Sequence, residues 1–412
     1  MKKIALLLAV AMLALAGCAS AGDTAAAASE AAPAESTAES AAAEDSTEAV
    51  LPGEPHPLSA YSAFAVSGSS VYAAVPHFSS SADSLGSFEH STVYKTDLTT
   101  GQTYEMYRTD SILTSAPLVI DGTLYFICYD GGMLALPTAG GEARVLPFSY
   151  ADWEPVFYAG HYLYCRSLSA APFCRTSGMR FDLETGETAP WNIPVETKYI
   201  PDVVGDALLL CRVVSDYPVP YPDDDEMSQA LLQNTTLEYT LADPATGAVR
   251  QTCFTLPYDI PQPGSLAVYT YLGKCGSDLY FRADQCDEEY NQVSQSVLRI
   301  GTDGTRTDLS ITKTPDYLDY CAVLQGDEVR WLLTRGPDGI YLIYDTQGNE
   351  IGRNERPAGL EAFFPLCMLD DGRLLMVVGY DWEHDSAARY AVMDTDEFLN
   401  GGSAYREMMF VE

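Results

Sequence analysis

The chain has 412 residues, enough for one large β domain or for two or three ordinary domains. Hydrophobic residues make up 47% of it and aromatic residues 11%, which suffices for a core, and the 27 tyrosines favour strands. The formal net charge of −35 repels nucleic acid and anionic lipid, so it excludes DNA and RNA as expected partners.

The first 18 residues have the pattern of an export signal. Lys2 and Lys3 precede an apolar run, Ile4 to Ala16, which is too short to cross a bilayer as a helix but suits a signal-peptide core. The run ends in Leu15-Ala16-Gly17-Cys18, which resembles the lipobox of bacterial lipoproteins. The resemblance implies removal of residues 1–17 and an acyl anchor such as palmitate on Cys18. The chain is then expected on the extracytoplasmic face of a cell membrane; an ordinary secretory signal with an incidental cysteine is the alternative.

Residues 18–55 are expected to form a disordered linker. After Cys18 they are almost wholly Ala, Glu, Ser, Thr, Asp, Gly and Pro, with no Lys, Arg or aromatic residue. Such a segment cannot bury enough apolar area to offset the entropy lost on ordering. The stretch from Leu51 to Pro57 is too rich in proline to serve as a central strand. The folded domain is therefore expected over residues 56–412.

Past residue 55, short apolar runs alternate with Gly, Asp, Asn or Pro, which is typical of an all-β fold. One element recurs: an apolar strand, a turn with Gly, and a second apolar strand that often contains Tyr. An insertion rich in Pro and acidic residues, Tyr217 to Asn234, explains the longest interval between copies, and a helical period occurs only near Glu226 to Gln233. The seven turn glycines are Gly68, Gly122, Gly160, Gly205, Gly276, Gly326 and Gly372.

A second turn follows each copy of the first element. The copies are Thr96–Gly101, Pro137–Gly141, Phe181–Gly186, Ala242–Gly247, Gly301–Gly304, Tyr344–Gly348 and Met393–Thr395. Gly supplies a positive φ there, and Asp and Thr side chains can bond local amides. Two hairpins make a four-stranded unit that cannot bury its own apolar face, so neighbouring units must stack. We predict a seven-bladed β-propeller of four-stranded antiparallel blades.

The Asp-x-x-Thr-Gly turn beside the hairpin Asp121-Gly122-Thr123-Leu124-Tyr125 resembles bacterial propellers of the pyrroloquinoline-quinone-repeat and related extracytoplasmic classes, over residues 59–410. The resemblance implies the fold and the extracytoplasmic location. The chain departs from the quinone enzymes because it has no Cys-Cys pair and only 4 Trp. We therefore expect neither a quinoprotein dehydrogenase nor a bound cofactor.

Nine cysteines remain besides Cys18, an odd number with no Cys-x-x-Cys spacing. Several lie in apolar strand patterns, so thiols in the core are the expectation. Disulfides between Cys165 and Cys174 or between Cys275 and Cys286 are the alternatives closest in sequence.

No motif selects catalytic residues. The phosphate-binding and dinucleotide glycine patterns are absent, and none of the five histidines lies near a nucleophile motif. No metal site is predicted; the acidic run Asp223, Asp224, Asp225 and Glu226 offers oxygen ligands for Ca²⁺, but a solvated loop explains it better. Candidate ligand-binding aromatic residues, which strand packing between blades would explain better, are Trp153, Tyr217, Tyr221 and Trp382.

These observations predict a cell-surface, lipid-anchored propeller that acts as a binding or scaffolding module for a protein or glycan. The alternative is an extracytoplasmic glycoside hydrolase or polysaccharide lyase, which would need two or three carboxylates at the mouth of the central channel. The non-enzymatic interpretation is favoured.

Overall fold

The computed structural model describes residues 51–58, 64–79, 87–113, 117–129, 131–149, 151–167, 177–194, 197–215, 235–257, 267–286, 292–309, 318–336, 339–381 and 387–408. The predicted cleavage site, Cys18 and the predicted linker up to residue 50 lie outside these residues. Within them the chain is nearly all β, with strands β1 to β29 and one short helix, α1. No helix in the described part is both long and apolar enough to cross a membrane.

The strands group into four-stranded antiparallel units, each built from consecutive segments of the chain. Seven such units occur among the described residues. Units one to three contain β2 Phe64–Ser67, β3 Ser70–Phe78, β4 Phe88–Asp97 and β5 Thr103–Thr109; β6 Leu118–Ile120, β7 Thr123–Ile127, β8 Met133–Pro137 and β9 Arg144–Leu146; and β10 Trp153–Ala159, β11 Tyr162–Ser167, β12 Gly178–Asp182 and β13 Thr188–Trp191.

Units four to seven have the same order. They contain β14 Thr197–Val204, β15 Ala207–Ser215, β16 Thr235–Ala242 and β17 Val249–Pro257; β18 Ala267–Cys275, β19 Asp278–Cys286, β20 Gln292–Gly301 and β21 Arg306–Asp308; β22 Leu318–Gln325, β23 Glu328–Arg335, β24 Ile340–Tyr344 and β25 Glu350–Glu355; and β26 Phe364–Met368, β27 Leu374–Asp381, β28 Ala387–Met393 and β29 Tyr405–Met408.

The turns form for the reasons that the sequence suggested. The glycine of every first turn has a positive φ, as at Gly205 (φ 61°), a conformation that costs glycine little. In the second turns of units one, three and four, an Asp side chain accepts hydrogen bonds from amides two and three residues further along, as Asp97 does from Thr99 and Thr100 at 2.8 and 2.9 Å. In the seventh copy, Asp394 accepts the same two bonds, from Asp396 and Glu397, and thereby caps α1, Thr395–Leu399, a helix that the sequence pattern did not predict.

The core consists of apolar clusters between successive units rather than within one unit. The cluster between units four and five, for example, joins Leu209 and Tyr239 to Phe281, all fully buried. Equivalent clusters join the other pairs of units that are consecutive in the chain. The last one joins the seventh unit to the first, since Leu375 and Val392 pack with Phe64 and Val71. The units therefore close into a ring, and the prediction of an all-β propeller of four-stranded antiparallel blades is confirmed.

One strand stands outside these units. β1, Pro55–Pro57, pairs antiparallel with β10, so the third sheet has five strands in the order β1-β10-β11-β12-β13. β1 lies at the end of that sheet, where proline is tolerated because an edge strand can leave one side of its backbone unpaired. The proline-rich stretch is thus an edge strand and not a central one, in agreement with the sequence argument.

Candidate functional site

The first strands of the units lie innermost and line the axis of the ring. Successive first strands contact one another, from β10 to β14, β18, β22 and β26. β22 and β26 even pair in parallel at Leu324 and Cys367. A ligand in the central channel would meet the side chains and backbone edges of these strands.

A buried charged cluster joins the innermost strands of units four and five to the first turn of unit six. Lys274, near the end of β18, is only 3% exposed. Its ammonium donates to Asp327 Oδ2 at 2.5 Å and lies 3.5 Å from Glu328 Oε1 and 3.9 Å from Asp202 Oδ1. One lysine from the fifth unit therefore joins carboxylates from the fourth and sixth units.

The carboxylates of this cluster have further partners that fix their positions. Asp202 Oδ2 accepts a hydrogen bond of 2.7 Å from the Tyr271 hydroxyl, and Oδ1 accepts one of 2.7 Å from the backbone of Val203. Glu328 Oε2 accepts a 2.7 Å hydrogen bond from the amide of Gly276. The two residues meet because Gly276 lies in the first turn of the fifth unit and Glu328 directly follows the first turn of the sixth.

Burial changes the protonation behaviour of the cluster. It raises the pKa of Asp202 to about 6, although Lys274 and the hydrogen bond from Tyr271 act in the opposite direction. Burial also raises the pKa of Tyr271 well above its usual value, and the nearby Asp202 charge adds to this. Burial alone would lower the pKa of Lys274, but Asp202, Asp327 and Glu328 outweigh it and raise that pKa. Lys274 is therefore a cation at neutral pH, and the pKa of Asp202 lies close to neutrality.

Burial limits the access of a substrate to the cluster. The side chains of Asp202 and Lys274 are 9% and 4% exposed, whereas that of Asp327 is 47% exposed. A carboxyl with a pKa near 6 suits proton transfer, but a substrate would have to reach it between packed strands. The arrangement shown links three units electrostatically.

The two ends of the units differ in the length of their connections. The first and second strands are joined by tight turns, as between Ser67 and Ser70 or between Val204 and Ala207. The second and third strands are joined at the opposite end by connections that range from 336–339 in the sixth unit to 216–234 in the fourth. The sequence insertion falls in the longest of these.

Most candidate residues from the sequence lie outside the described residues. These are Cys18, Tyr217, Tyr221, Asp223, Asp224, Asp225, Glu226 and Trp382. Trp153 is described: it begins β10 and packs, partly buried, against the cluster between units two and three. No group of three or more metal-ligating side chains occurs in the described segments. The charged cluster was missed, although a lysine in the apolar pattern of β18 was a signal for it.

Four of the seven cysteines whose surroundings are described are core residues, whereas Cys253 and Cys275 are partly buried and Cys321 is exposed. Cys165 is a buried free thiol, and Cys128, Cys211 and Cys367 are buried as well. Cys275 is also a free thiol, so neither of the disulfides considered from the sequence forms at Cys165 or Cys275.

No protein-family model and no curated protein sequence matches the chain. Solved structures with a similar arrangement include BamB from Moraxella catarrhalis, which is 12% identical, with a TM-score of 0.40 over 84% of this chain and 98% of that protein. An oligogalacturonate lyase in complex with manganese is 12% identical, with a TM-score of 0.43 over 85% and 100%. A puromycin-hydrolyzing peptidase of Mycobacterium tuberculosis is 13% identical, with a TM-score of 0.48 over 87% of this chain and 56% of the peptidase. These likenesses concern the fold and carry no functional argument.

Proposed function

We propose that this protein is a lipid-anchored, extracytoplasmic binding module whose ring presents its long connections to a protein or glycan partner. The observation that carries the proposal is the difference between the two ends of the units. One end has short turns of similar build, and the other has connections of very different length, up to 216–234. Binding sites are commonly built from variable loops on a rigid scaffold.

The charge of the chain narrows the class of partner. A net charge of −35 repels polyanions, so a neutral glycan or a basic protein surface is favoured over an acidic polymer. Association with a basic partner would be steered electrostatically and would slow as the salt concentration rises. The quinone-repeat-like extracytoplasmic class inferred from the turns is part of the same proposal.

The membrane anchor is tested at Cys18. Its support is the sequence Leu15-Ala16-Gly17-Cys18 after an apolar run. In cells fed a radioactive fatty acid, we expect label on the wild-type chain and its recovery with membranes. Cys18→Ala should lose both, whereas Cys165→Ala, which changes a buried core thiol, should keep both. Label retained by Cys18→Ala would contradict the anchor.

The binding face is tested by replacing the longest of the connections between second and third strands. The mature chain is applied to neutral-glycan and basic-peptide arrays, alongside a variant in which residues 217–234 are replaced by a short Gly-Ser linker. We expect this variant to lose a signal that the wild type shows. The control Glu184→Lys, at the end with the short turns, should keep that signal. Signals that depend on Glu184 and not on the connection would contradict the proposal, and so would an absence of signal for every ligand.

A second candidate function rests on Asp202. A carboxyl with a pKa of about 6 beside Tyr271 and Lys274 is the kind of group that a carboxylate-dependent glycoside hydrolase or polysaccharide lyase uses. Its test is turnover of oligosaccharide substrates by the wild type and by Asp202→Asn. Turnover that Asp202→Asn abolishes, with the ring still folded, would favour the enzyme over the binding module.

A further inference from the structure

The inner edge of the third unit holds an extended segment of the chain itself. β1 pairs with β10 in the register Pro55 to Ala159, His56 to Tyr158 and Pro57 to Phe157. Of the three β1 residues, only His56 carries an amide hydrogen, because proline has none. The pairing therefore uses few backbone bonds, and side chains must supply much of the attachment.

Side chains along the segment fit separate features of the ring. Leu51 packs against the apolar cluster between units three and four, and Leu58 packs against the cluster between units two and three. Between them, the His56 ring stacks on Tyr158 with 5.0 Å between centroids. Gly53 passes so close to the turn of the third unit that a Cβ atom there would lie 2.9 Å from the Gly160 amide nitrogen. The edge thus recognises two apolar ends, a planar ring and a residue without a side chain.

The segment is additional to the repeat. Strands β10 to β13 already make a complete four-stranded unit, like the other units in the described residues. β1 adds a fifth strand at an edge whose backbone would otherwise be open for pairing. Addition of an extended strand to such an edge is a common way in which domains bind peptides. Prolines favour this mode because they reduce the conformational entropy that the peptide loses.

We propose that the inner edge of the third unit is a recognition site for an extended, proline-containing polypeptide segment of a partner protein, and that Leu51–Leu58 occupies this site in cis. The proposal rests on the binding function inferred above and gives it a ligand class. The cis segment has an effective concentration on the order of millimolar, so it excludes weaker ligands. A partner with a better-fitting segment displaces it from the edge.

The test uses the full mature chain and a fluorescent peptide with the sequence of residues 49–60. The variant Gly53→Val/His56→Ala weakens the cis contacts, because valine would collide with Gly160 and alanine cannot stack on Tyr158. We expect this variant to bind the peptide at least about tenfold more tightly than the wild type, since the cis competitor is weakened. A peptide of scrambled sequence should not bind. His161→Ala, on the turn of the same unit, should behave as the wild type.

Hydrogen exchange at the amides of residues 157–159 decides the remaining outcomes. Exchange that becomes faster in the double variant, without peptide binding, would overturn the inference, because the edge would be vacant and still unused. Exchange that stays slow would also overturn it, because the named contacts would then not hold the segment. Neither result bears on the binding face, which the variant with residues 217–234 replaced by a Gly-Ser linker tests separately.

Discussion

The Arg406 side chain donates a 2.6 Å hydrogen bond to the carbonyl oxygen of Leu98, across a sequence separation of 308 residues. Arg406 belongs to the last strand of the seventh unit, and Leu98 follows the third strand of the first. Arg373 donates to the same carbonyl at 3.2 Å. Two arginines therefore hold the seam where the ring closes, next to the apolar cluster shared by these units.

Loss of the seam contact should destabilise the fold measurably. Arg406→Ala removes a hydrogen bond from a charged donor to a backbone carbonyl, and we expect the free energy of unfolding to fall by about 1 kcal/mol. Urea denaturation followed by circular dichroism measures it. The matched control is Arg108→Ala, which breaks an exposed ion pair with Glu105 and should cost less than about 0.5 kcal/mol. Equal losses would contradict the role of the seam.

Asp202 should make stability depend on pH in an unusual direction. Its pKa is about 6 in the folded chain against an ordinary value of 3.8, so its contribution is fully present below pH 4 and is lost as pH rises to 6. Asp202→Asn cannot ionise but keeps an acceptor for Tyr271. We expect this substitution to raise the free energy of unfolding more at pH 8 than at pH 4, by up to about 3 kcal/mol.

Asp97→Asn is the control, because the pKa of Asp97 is shifted in the opposite direction and its effect on stability should have the opposite pH dependence. Backbone hydrogen bonds from Thr100 and Thr99 lower the pKa of Asp97, so its stabilising contribution is present at neutral pH and is lost as pH falls through the folded pKa. Urea denaturation at several pH values measures both variants. The same pH trend in the two variants would contradict the different environments assigned to these carboxyls.

The clusters between units should make the whole ring unfold together. Leu209→Ala removes a fully buried side chain between units four and five and should cost about 2–5 kcal/mol. Val214→Ala, on the same strand but at a 37% exposed position, should cost less than about 1 kcal/mol. We expect a single urea transition with coincident fluorescence and circular dichroism. Separate transitions would indicate that the units do not share a core.

The buried thiols should resist modification in the folded chain. Burial raises the pKa of Cys165, so the reactive thiolate is scarce at pH 8, and Cys128, Cys211 and Cys367 are buried as well. Iodoacetamide treatment followed by peptide mass spectrometry should find these four unmodified until urea is added. Rapid labelling of Cys165 under native conditions would contradict its place in the core.

The turns and the repeat could be predicted because their signals are local. Glycine at a positive φ and Asp bonding nearby amides act within a few residues, as at Gly205 and Asp97. The edge strand β1 could not be placed, because its partner β10 lies about a hundred residues away and its prolines give no strand pattern. The helix α1 was also missed, since its Asp394 cap is identical in type to a hairpin turn residue.

The charged cluster could not be predicted for a similar reason. Asp202, Lys274 and Asp327 come from three consecutive units, and only the stacking of these units brings them together. An isolated acidic residue among 58 has no pattern that selects it. By contrast, Trp153 could be singled out from the sequence, and it packs, partly buried, against a core cluster.

Ring closure between the first and seventh units is tested most directly by a pulsed electron-resonance distance between Thr99 and Ser403, both exposed beside the seam. Spin labels attached through a non-natural amino acid avoid the native thiols. We predict one narrow, short distance, which Arg406→Ala broadens and which urea abolishes. A long or broad distance in the native chain would contradict a closed ring.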